Sequence, residues 1–305
     1  MEKLIQEVKG AKCKIGFPEA EDERILKAVN KALKENMIKP ILIGNENKIK
    51  QKINELNLNE LKEVDIINTE KDTLEIACKL LNENKIEGIV AGAVYTSKKV
   101  LIDTIKLIGV EEGNRTISSF FLINLPNWKG GENSHLILAD CAVNINPNED
   151  RLSDIAVSTA KSAKELFNWD PKIAMLSFST KGSASHEMID KIRNATELAK
   201  LKMPELKIDG EMQADSALVM STAKRKMRNI GDVAGNANIL IFPDLNSANI
   251  SYKLIEILCQ GAEAYGPILQ GTKKPISDLS RGATEEDIYG TIAVVCKKIL
   301  IKRKK

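Results

Sequence analysis

The sequence predicts an α/β protein whose sheets are mainly parallel. Short runs rich in Ile, Val and Leu alternate with longer segments of helical periodicity, which is the pattern of successive βαβ units. The chain has 305 residues, a length that predicts about two domains, each with its own core. Apolar residues make up 43% of the chain and charged residues 29%, as in an ordinary globular protein.

The first series of elements begins near the N-terminus. Residues 13–17 predict a strand that Pro18 ends. The apolar stripe of the next predicted helix consists of Ile25, Leu26, Val29 and Leu33. Further strands are predicted at 41–43, 64–67 and 88–91, and further helices at 49–56, 73–81 and 98–108.

A second series follows without a linker rich in Pro, Gly or Ser, so we place the domain boundary near Glu112-Gly113-Asn114. Its predicted strands are 116–123, 136–139, 173–177 and 239–242, and its long helix is 151–166. A final helix is predicted at 285–301, followed by a solvated tail at 302–305.

Composition and charge argue against several classes of protein. A net charge of +3 is too near balance for a dedicated nucleic-acid or membrane binder, and 4% aromatic residues do not build a base-stacking surface. Five cysteines without CxxC spacing indicate neither a disulfide framework nor a zinc knuckle. The N-terminus does not resemble a signal peptide and no apolar run is long enough to span a membrane, so we expect a cytoplasmic protein.

Common catalytic signatures are missing from the sequence. It contains no GxxxxGK(S/T), GxGxxG, HExxH or GxSxG motif. Its two histidines, His135 and His186, are too few for a zinc site of several histidines, and no metal site is predicted. An enzyme with this sequence would work with carboxylates, hydroxyls, cations and backbone dipoles.

The first of three polar stretches follows the predicted strand 173–177, at the edge where open α/β sheets bind ligands. It offers Ser179, Thr180, Lys181, Gly182 and Ser183. Small residues let backbone N–H groups approach an anion, and the lysine adds charge. A strand-to-helix turn with a serine cap is the alternative interpretation.

The second stretch, 242–249, follows the strand 239–242 and contains Asn246 and Asn249 as binding candidates. Asp, Asn and Ser are also the residues that a helix N-cap prefers, so a purely structural role is equally plausible.

The third stretch, 278–287, contains three residues of catalytic type. Arg281 can hold a phosphate through its planar donor fork, Ser280 can donate to a developing oxyanion, and Asp287 can accept a proton. Thr284 and Asp287 also have the spacing of a capping box at a helix start. From the residues alone, capping and catalysis are about equally supported for Asp287.

These segments together resemble the phosphate acetyltransferases (phosphotransacetylases). The resemblance extends in family order over about residues 13 to 300, and a set of this size is hard to obtain by chance. The matching segments are PEAEDER at 18–24, VAGA at 90–93, ADCAVN at 139–144, MLSFSTKGSA at 175–184, IDGEMQ at 208–213, FPDLNSAN at 242–249, YGPILQG at 265–271 and DLSRG at 278–282.

The resemblance implies reversible acetyl transfer between acetyl phosphate and coenzyme A, in a cleft between two three-layer α/β domains. It also implies that the C-terminal segment returns to the first domain. The expected domains are therefore 1–113 plus 270–305, and 114–269. A homodimer is expected as well. Coenzyme A is a substrate, and neither a metal nor a bound cofactor is required.

The resemblance also implies roles for individual residues. Asp287 takes the thiol proton, Ser280 stabilises the developing negative charge and Arg281 holds the leaving phosphate. The predicted substrate-binding residues are Ser179, Thr180, Lys181, Gly182, Ser183, Asn246, Asn249 and Arg24.

The sequence departs from the family pattern at two places. Ile102 stands where members usually carry an arginine, and the chain is short between about Lys71 and Glu87, where many members carry another. Arg24, Lys98, Lys99 and Arg115 are the candidate replacements. Without replacement, losing two charged hydrogen bonds of about 1.5–3 kcal/mol each would weaken substrate binding by orders of magnitude.

Two alternative functions remain open at this point. Close relatives transfer propionyl or butyryl groups, and pocket width cannot be read from one sequence. Similar domains are also appended to malic enzymes as regulatory units without catalytic activity. The presence of Ser280, Arg281 and Asp287 favours an enzyme, because a pure ligand sensor has no evident need for a base.

Overall fold

The computed structural model describes residues 1–112 and 114–304. Gly113, which belongs to the predicted domain boundary, and Lys305, in the predicted tail, lie outside the described residues. The chain forms two compact units. The first unit comprises Met1–Glu112 with Gly266–Lys305, and the second comprises Gly113–Tyr265.

Strands and helices alternate along most of the chain. The strands are β1 (Cys13–Phe17), β2 (Ile38–Gly44), β3 (Ile66–Asn68), β4 (Gly88–Ala91), β5 (Ser118–Asn124), β6 (His135–Ala139), β7 (Lys172–Leu176), β8 (Lys207–Met212), β9 (Ile239–Ile241), β10 (Glu263–Gln270) and β11 (Ile276–Asp278). The helices are α1 (Glu2–Val8), α2 (Glu23–Lys34), α3 (Glu46–Glu55), α4 (Thr73–Asn82), α5 (Ser97–Asp103), α6 (Glu149–Phe167), α7 (Glu187–Lys202), α8 (Ala214–Leu218), α9 (Met220–Lys226), α10 (Leu245–Leu258) and α11 (Glu285–Lys304).

The sheet of the first unit is parallel, with the strand order β11-β4-β1-β2-β3. The chain leaves β1 towards β2 and β3 on one side, and β4 and β11 lie on the other. The strand order therefore reverses beside β1, and open α/β sheets bind ligands at the carboxyl ends of strands at such a point.

The second sheet has the order β10-β5-β6-β9-β7-β8, and all of its strands except β10 lie wholly within the second unit. Strands β6, β9, β7 and β8 are parallel neighbours, whereas β5 runs antiparallel to β6. The segments that follow β6, β7 and β9 consequently begin at the same edge of this sheet. One face of the sheet is covered by a core cluster that includes Phe121, Leu138, Leu240 and Tyr252.

The predicted fold class, α/β with mainly parallel sheets, is confirmed. Strands β8, β10 and β11 are not predicted by the apolar pattern. Strand β8 is half polar, β10 contains a Gly-Pro pair, and β11 is only three residues long. Their conformation is stabilised by pairing with neighbouring strands rather than by local propensity.

Local sequence explains where the helices begin. Asp22 caps α2, because its side chain accepts from the amides of Arg24 and Ile25. Of the predicted stripe on α2, Ile25, Leu26 and Val29 are buried and Leu33 is half-buried. The C-terminal helix α11 packs against α2, α1 and β4, so the last residues of the chain complete the first unit. Within the described residues, no helix is both long and apolar enough to cross a membrane.

Gly92 lies where the backbone turns sharply after β4, with a φ of +108°. A Cβ atom there would come within 2.4 Å of Asp278 Oδ1 and 2.5 Å of the Leu279 nitrogen. Because one of these neighbours is backbone, the contact cannot be relieved by a side-chain rotation alone.

We therefore expect Gly92→Ala to lower the free energy of unfolding by about 3 kcal/mol or more, through overpacking and an unfavourable φ. Gly10 is a matched control, since it also has a positive φ but no atom lies within 4 Å of the place that a Cβ would take. Gly10→Ala should cost only about 1 kcal/mol. Urea denaturation of both variants tests the difference, and equal losses would contradict the packing argument.

Candidate functional site

A buried carboxylate organises the loop that follows β4. Glu19 is 6% exposed and accepts hydrogen bonds from four consecutive amides, those of residues 92 to 95, at 2.5–2.9 Å. Backbone N–H groups in a turn otherwise need water or a ligand. Here the Glu19 side chain satisfies them, and the loop is fixed against the segment that follows β1.

Arg24 joins this loop to the segment 280–283. Its Nη1 donates to the carbonyl oxygens of Arg281 and Ala283, both at 2.9 Å, and its Nη2 donates to the Ala93 carbonyl at 3.0 Å. Its Nε and Nη2 also donate to Asp22. The planar fork of arginine suits such simultaneous contacts. The Arg24 guanidinium, predicted to bind substrate, is therefore occupied in positioning the loop that carries Ser280 and Arg281.

Ser280 and Arg281 follow β11 after one intervening residue, Leu279, at the carboxyl edge of the first sheet. Ser280 is half-buried, and its Oγ accepts weakly from the Gly282 amide at 3.3 Å. The side chain of Arg281 is exposed, and no residue of the described chain forms an ion pair with it. Arg281 thus presents five uncommitted N–H donors on a loop whose backbone is held in place.

Asp287 forms the predicted capping box at the start of α11. The amide and the hydroxyl of Thr284 donate to its Oδ2 at 2.8 and 2.7 Å, and the Asp287 amide donates back to the Thr284 hydroxyl at 3.2 Å. Within residues 1–112 and 114–304, no group donates to Oδ1. One oxygen of Asp287 caps the helix and the other is free to accept a proton, so capping and catalysis do not compete for the same atom.

The loop after β7 in the second unit is held by another buried carboxylate, that of Glu211. It accepts from the Ser179 hydroxyl at 3.0 Å, from the Gly182 amide at 2.8 Å and from Arg193 Nε at 2.8 Å. Burial by itself raises the pKa of Glu211, but these hydrogen bonds outweigh it and lower the pKa to about 2.

Backbone amides 179 to 184 all donate within the protein. Their acceptors are Ser177 Oγ, Ser183 Oγ, the Glu211 carbonyl, the Glu211 carboxylate, the Thr180 carbonyl and Ser179 Oγ. The hydroxyls of Ser179 and Thr180 are buried and hydrogen-bonded as well. In this conformation Lys181, Gly182 and Ser183 are exposed and can be reached by a ligand, and Lys181 forms an ion pair with Asp209.

Asn246 and Asn249 lie in the first turns of α10, which Asp244 caps by accepting from the Ser247 amide at 2.9 Å. Asn246 is exposed. Asn249 donates to the Cys141 carbonyl at 3.2 Å and so contacts the loop after β6. The structure thus brings Asn249 to the same edge of the second sheet as the loop after β7.

The loop after β6 is organised in the same way as the other two. Asp140 is 3% exposed and accepts from the amides of Ser119, Ala142, Val143 and Asn144. It also accepts from the Ser119 hydroxyl at 2.6 Å. The backbone of this loop is therefore fixed without a ligand.

The candidate replacement cations differ in availability. Lys99 pairs with Asp72 at 2.6 Å and Asp103 at 2.8 Å, and these two carboxylates raise its pKa. The guanidinium of Arg24 is hydrogen-bonded to Asp22 and to backbone carbonyls. Lys98 and Arg115 are exposed, and neither forms an ion pair with a described residue. Ile102 is 38% exposed, so the position of the missing family arginine faces solvent.

The described residues contain no group of three or more His, Cys, Asp and Glu side chains that could hold a metal ion. The prediction that neither a metal nor a bound cofactor is required is not tested by this observation and stays a prediction.

Comparison with known proteins gives the family. The sequence matches the family model described as phosphate acetyl/butaryl transferase over residues 1–75 and 68–296. The chain belongs to the phosphate acetyl/butaryl transferase family. It is an acyltransferase of this family.

Relatives and solved structures agree with this assignment. A phosphate acetyltransferase from Clostridium acetobutylicum is 40% identical over 96% of each chain, and one from Thermoanaerobacterium thermosaccharolyticum is 39% identical over 96% of this chain and 97% of the relative. A phosphotransacetylase structure from Streptococcus pyogenes has a TM-score of 0.90 at 34% identity, with 98% of each chain covered. A branched-chain phosphotransacylase from Enterococcus faecalis, 22% identical, has a TM-score of 0.75 over 94% of this chain and 99% of that one and shows the fold alone.

The acyltransferase structure places the predicted site residues in two groups. Arg24, Ser280, Arg281 and Asp287 belong to the first unit, and residues 179–183, Asn246 and Asn249 belong to the second. Their roles in binding and catalysis, and the cleft expected from the resemblance, stay predictions.

Sequence reasoning missed the three buried carboxylates Glu19, Asp140 and Glu211. Each of them lies inside a segment that carries the family resemblance, and this was the available signal. Composition cannot identify them, because a carboxylate is buried only where folding supplies enough donors.

Glu211 should contribute stability that depends on pH. Because its pKa in the folded chain is lowered, the contribution is complete above its ordinary pKa and is lost as pH falls from there towards about 2. We expect Glu211→Gln to lower the free energy of unfolding by about 3 kcal/mol near neutral pH. By about pH 3 the difference from wild type should narrow by about 2 kcal/mol.

Urea denaturation at several pH values measures this difference. Glu197→Gln serves as the control, since Glu197 forms an exposed pair with Lys200 on α7 and should change stability by well under 1 kcal/mol. A Glu211→Gln deficit that is the same at every pH would show that the lost interaction is not the charge.

Proposed function

We propose that this chain catalyses the reversible transfer of an acetyl group between acetyl phosphate and coenzyme A. The observation that carries the proposal is the arrangement at residues 280–287. Ser280 supplies a hydroxyl and Arg281 an uncommitted guanidinium on a loop whose carbonyls Arg24 holds, and Asp287, in the first turn of α11, supplies a carboxylate with one free oxygen. This is the set of groups that direct thiol attack on an acyl phosphate needs.

The proposed mechanism is a single displacement. Asp287 Oδ1 accepts the proton of the coenzyme A thiol, and the thiolate attacks the carbonyl carbon of acetyl phosphate. Ser280 donates a hydrogen bond to the oxygen that becomes negative, and Arg281 pairs with the phosphate oxygens. The bond between the carbonyl carbon and the phosphate oxygen then breaks, phosphate leaves with the electron pair, and acetyl coenzyme A remains. The proton on Asp287 passes to phosphate or to water.

The substrate-binding residues of the proposal follow from the same resemblance. They are Ser179, Thr180, Lys181, Gly182, Ser183, Asn246 and Asn249 in the second unit and Arg24 in the first. Exposure favours direct contact for Lys181, Ser183 and Asn246. For Ser179 and Thr180, whose hydroxyls are buried, we propose that they shape their loop, and for Arg24, whose donors are occupied, that it supports binding by holding the 280–283 segment.

The test of the proposed mechanism is Asp287→Asn, which keeps the size and capping ability of the side chain but removes the proton acceptor. Turnover should fall by about 10²–10⁴-fold, the usual contribution of a general base, while KM and thermal stability stay near wild type. Steady-state assays with acetyl, propionyl and butyryl coenzyme A, together with thermal melts, provide the measurements.

Ser280→Ala and Arg281→Ala are companion variants. Both should lose activity, and Arg281→Ala should also raise the KM for acetyl phosphate because it removes the phosphate contact. Near-normal turnover of Asp287→Asn would end its assignment as the base. A wild-type preference for butyryl over acetyl coenzyme A by more than about tenfold would replace the acetyl assignment by the butyryl one.

We also propose that the protein is a homodimer in the cytoplasm and that it binds neither nucleic acid nor membranes. In support of a dimer, Ile250, Leu254, Ile257 and Leu258 form an apolar stripe on one face of α10, with exposures of 51–78%. In support of the compartment, the cysteines are free thiols, and four of the five are buried.

If a second copy covers the α10 stripe, a charge placed in it should dissociate the dimer. We expect light scattering to give a dimer for wild type and a monomer for Ile257→Glu at the same micromolar concentration, because burying an unpaired carboxylate costs several kcal/mol. Leu201→Glu is the control, since Leu201 is 77% exposed but belongs to a different helix, α7. A wild-type mass of one chain at all concentrations would refute the dimer. Dissociation by Leu201→Glu would refute the assignment of the α10 stripe as the dimer interface.

A further inference from the structure

Asp278 is the last residue of β11 and lies two positions before Ser280. It is 1% exposed, and neither of its carboxyl oxygens has a hydrogen-bond partner in the described part of the chain. The other buried carboxylates near polar loops behave differently, since Glu19, Asp140 and Glu211 each accept at least four hydrogen bonds. Asp278 is therefore the exception, and its surroundings suit an uncharged carboxyl.

The position of Asp278 connects it to the candidate catalytic loop. It pairs with Ala91 in the parallel register of β11 and β4, and the next amide, that of Leu279, donates to the Ala91 carbonyl at 2.6 Å. Its Oδ1 lies against the Cα of Gly92, the first residue of the loop that Glu19 holds. The carboxyl of Asp278 thus lies at the start of the 92–95 loop, and its backbone leads into the 280–283 segment.

Few groups near Asp278 could stabilise a negative charge. Glu19 faces it from the segment after β1, and its charge disfavours a second anion. Ser97 faces it from α5, and the Ser97 hydroxyl lowers the pKa of Asp278, but by less than burial raises it. On the same helix, Lys99 is paired with two other carboxylates. In the first turn of α11, Glu286 pairs with Lys31 and Asp287 bonds to Thr284, and both are acids.

Burial raises the pKa of Asp278 to about 7, with Ser97 opposing and the Glu19 charge adding to the rise. An ionised Asp278 needs N–H donors. The Leu279 amide donates to the Ala91 carbonyl, and the amides of residues 92–95, in the loop that begins beside Asp278, already donate to Glu19. A charged Asp278 must therefore compete with Glu19 for them or move towards water, and either change shifts the segment that carries Ser280 and Arg281.

We propose that Asp278 is a positioning residue whose uncharged carboxyl keeps the Ser280–Arg281 loop in the conformation described. Its ionisation in mildly alkaline solution displaces that loop. The effect on catalysis rests on the proposed function of Ser280 and Arg281. The effect on the loop does not.

The kinetic test compares the pH profiles of wild type and Asp278→Asn, which keeps the shape but cannot ionise. The ratio of kcat/KM, variant over wild type, cancels the ionisation of the substrates. The uncharged fraction of Asp278 falls from about one half at pH 7 to about one hundredth at pH 9, so the ratio should rise by about tenfold or more over this range. Asp65→Asn, an exposed acid of the first unit, is the matched control, and its ratio should stay flat.

Two further measurements do not need activity. In wild type, infrared spectra should show the C=O band of a protonated carboxylic acid at pH 6 that disappears by pH 9. The hydrogen-exchange protection of residues 279–283, corrected for the intrinsic exchange rate, should fall over the same range. Both measurements use the unmodified chain, so they decide the question even if Asp278→Asn does not fold.

The outcomes separate the two proposals. A flat kinetic ratio, the lack of a titrating carboxyl band, or unchanged loop protection between pH 6 and pH 9 would each overturn the role of Asp278. One outcome is that the wild-type chain transfers no acetyl group while its carboxyl band titrates and residues 279–283 lose protection. In that case the role of Asp278 in positioning the loop is supported and the proposed function is refuted.

Discussion

Buried carboxylates that accept backbone amides are the interaction on which the functional edges of this protein depend. A loop at the end of a parallel strand carries N–H groups that no neighbouring strand satisfies. Glu19, Asp140 and Glu211 satisfy them from inside the protein at three such loops, in both units. Each carboxylate replaces water or a ligand as the acceptor, so the loops keep their shape when no substrate is bound.

This arrangement also decides which groups remain for chemistry. In the first unit, the N–H groups of Arg24 donate to Asp22 and to the carbonyls of three loop residues. Arg24 therefore positions the backbone of these loops. Arg281 and one oxygen of Asp287 are left uncommitted at the surface. Reactive groups held on a preorganised backbone lose little entropy when substrate binds, which is the condition for efficient positioning.

The sequence predicts what depends on local pattern. The strand β1, the helix α6 and the capping box of Thr284 and Asp287 follow from apolar spacing and cap residues within a few positions. Burial of Glu19 does not follow, because its four donors come from residues more than 70 positions away. The unpartnered state of Asp278 is equally hidden, since it depends on pairing between β11 and β4, which are distant in sequence.

The cations show why residue type alone is a weak guide to a binding site. Arg24, Lys99 and Arg281 are equivalent in a charge count, yet two of them are neutralised or occupied by neighbours and one is not. A cation already paired with a carboxylate must exchange that partner for phosphate, which returns only the difference between the two interactions. An unpaired arginine gains the full charged hydrogen bonds, about 1.5–3 kcal/mol each. With the position of one family arginine held by Ile102, the phosphate interaction that we propose for the first unit would depend more heavily on Arg281 than in a chain that retained both family arginines.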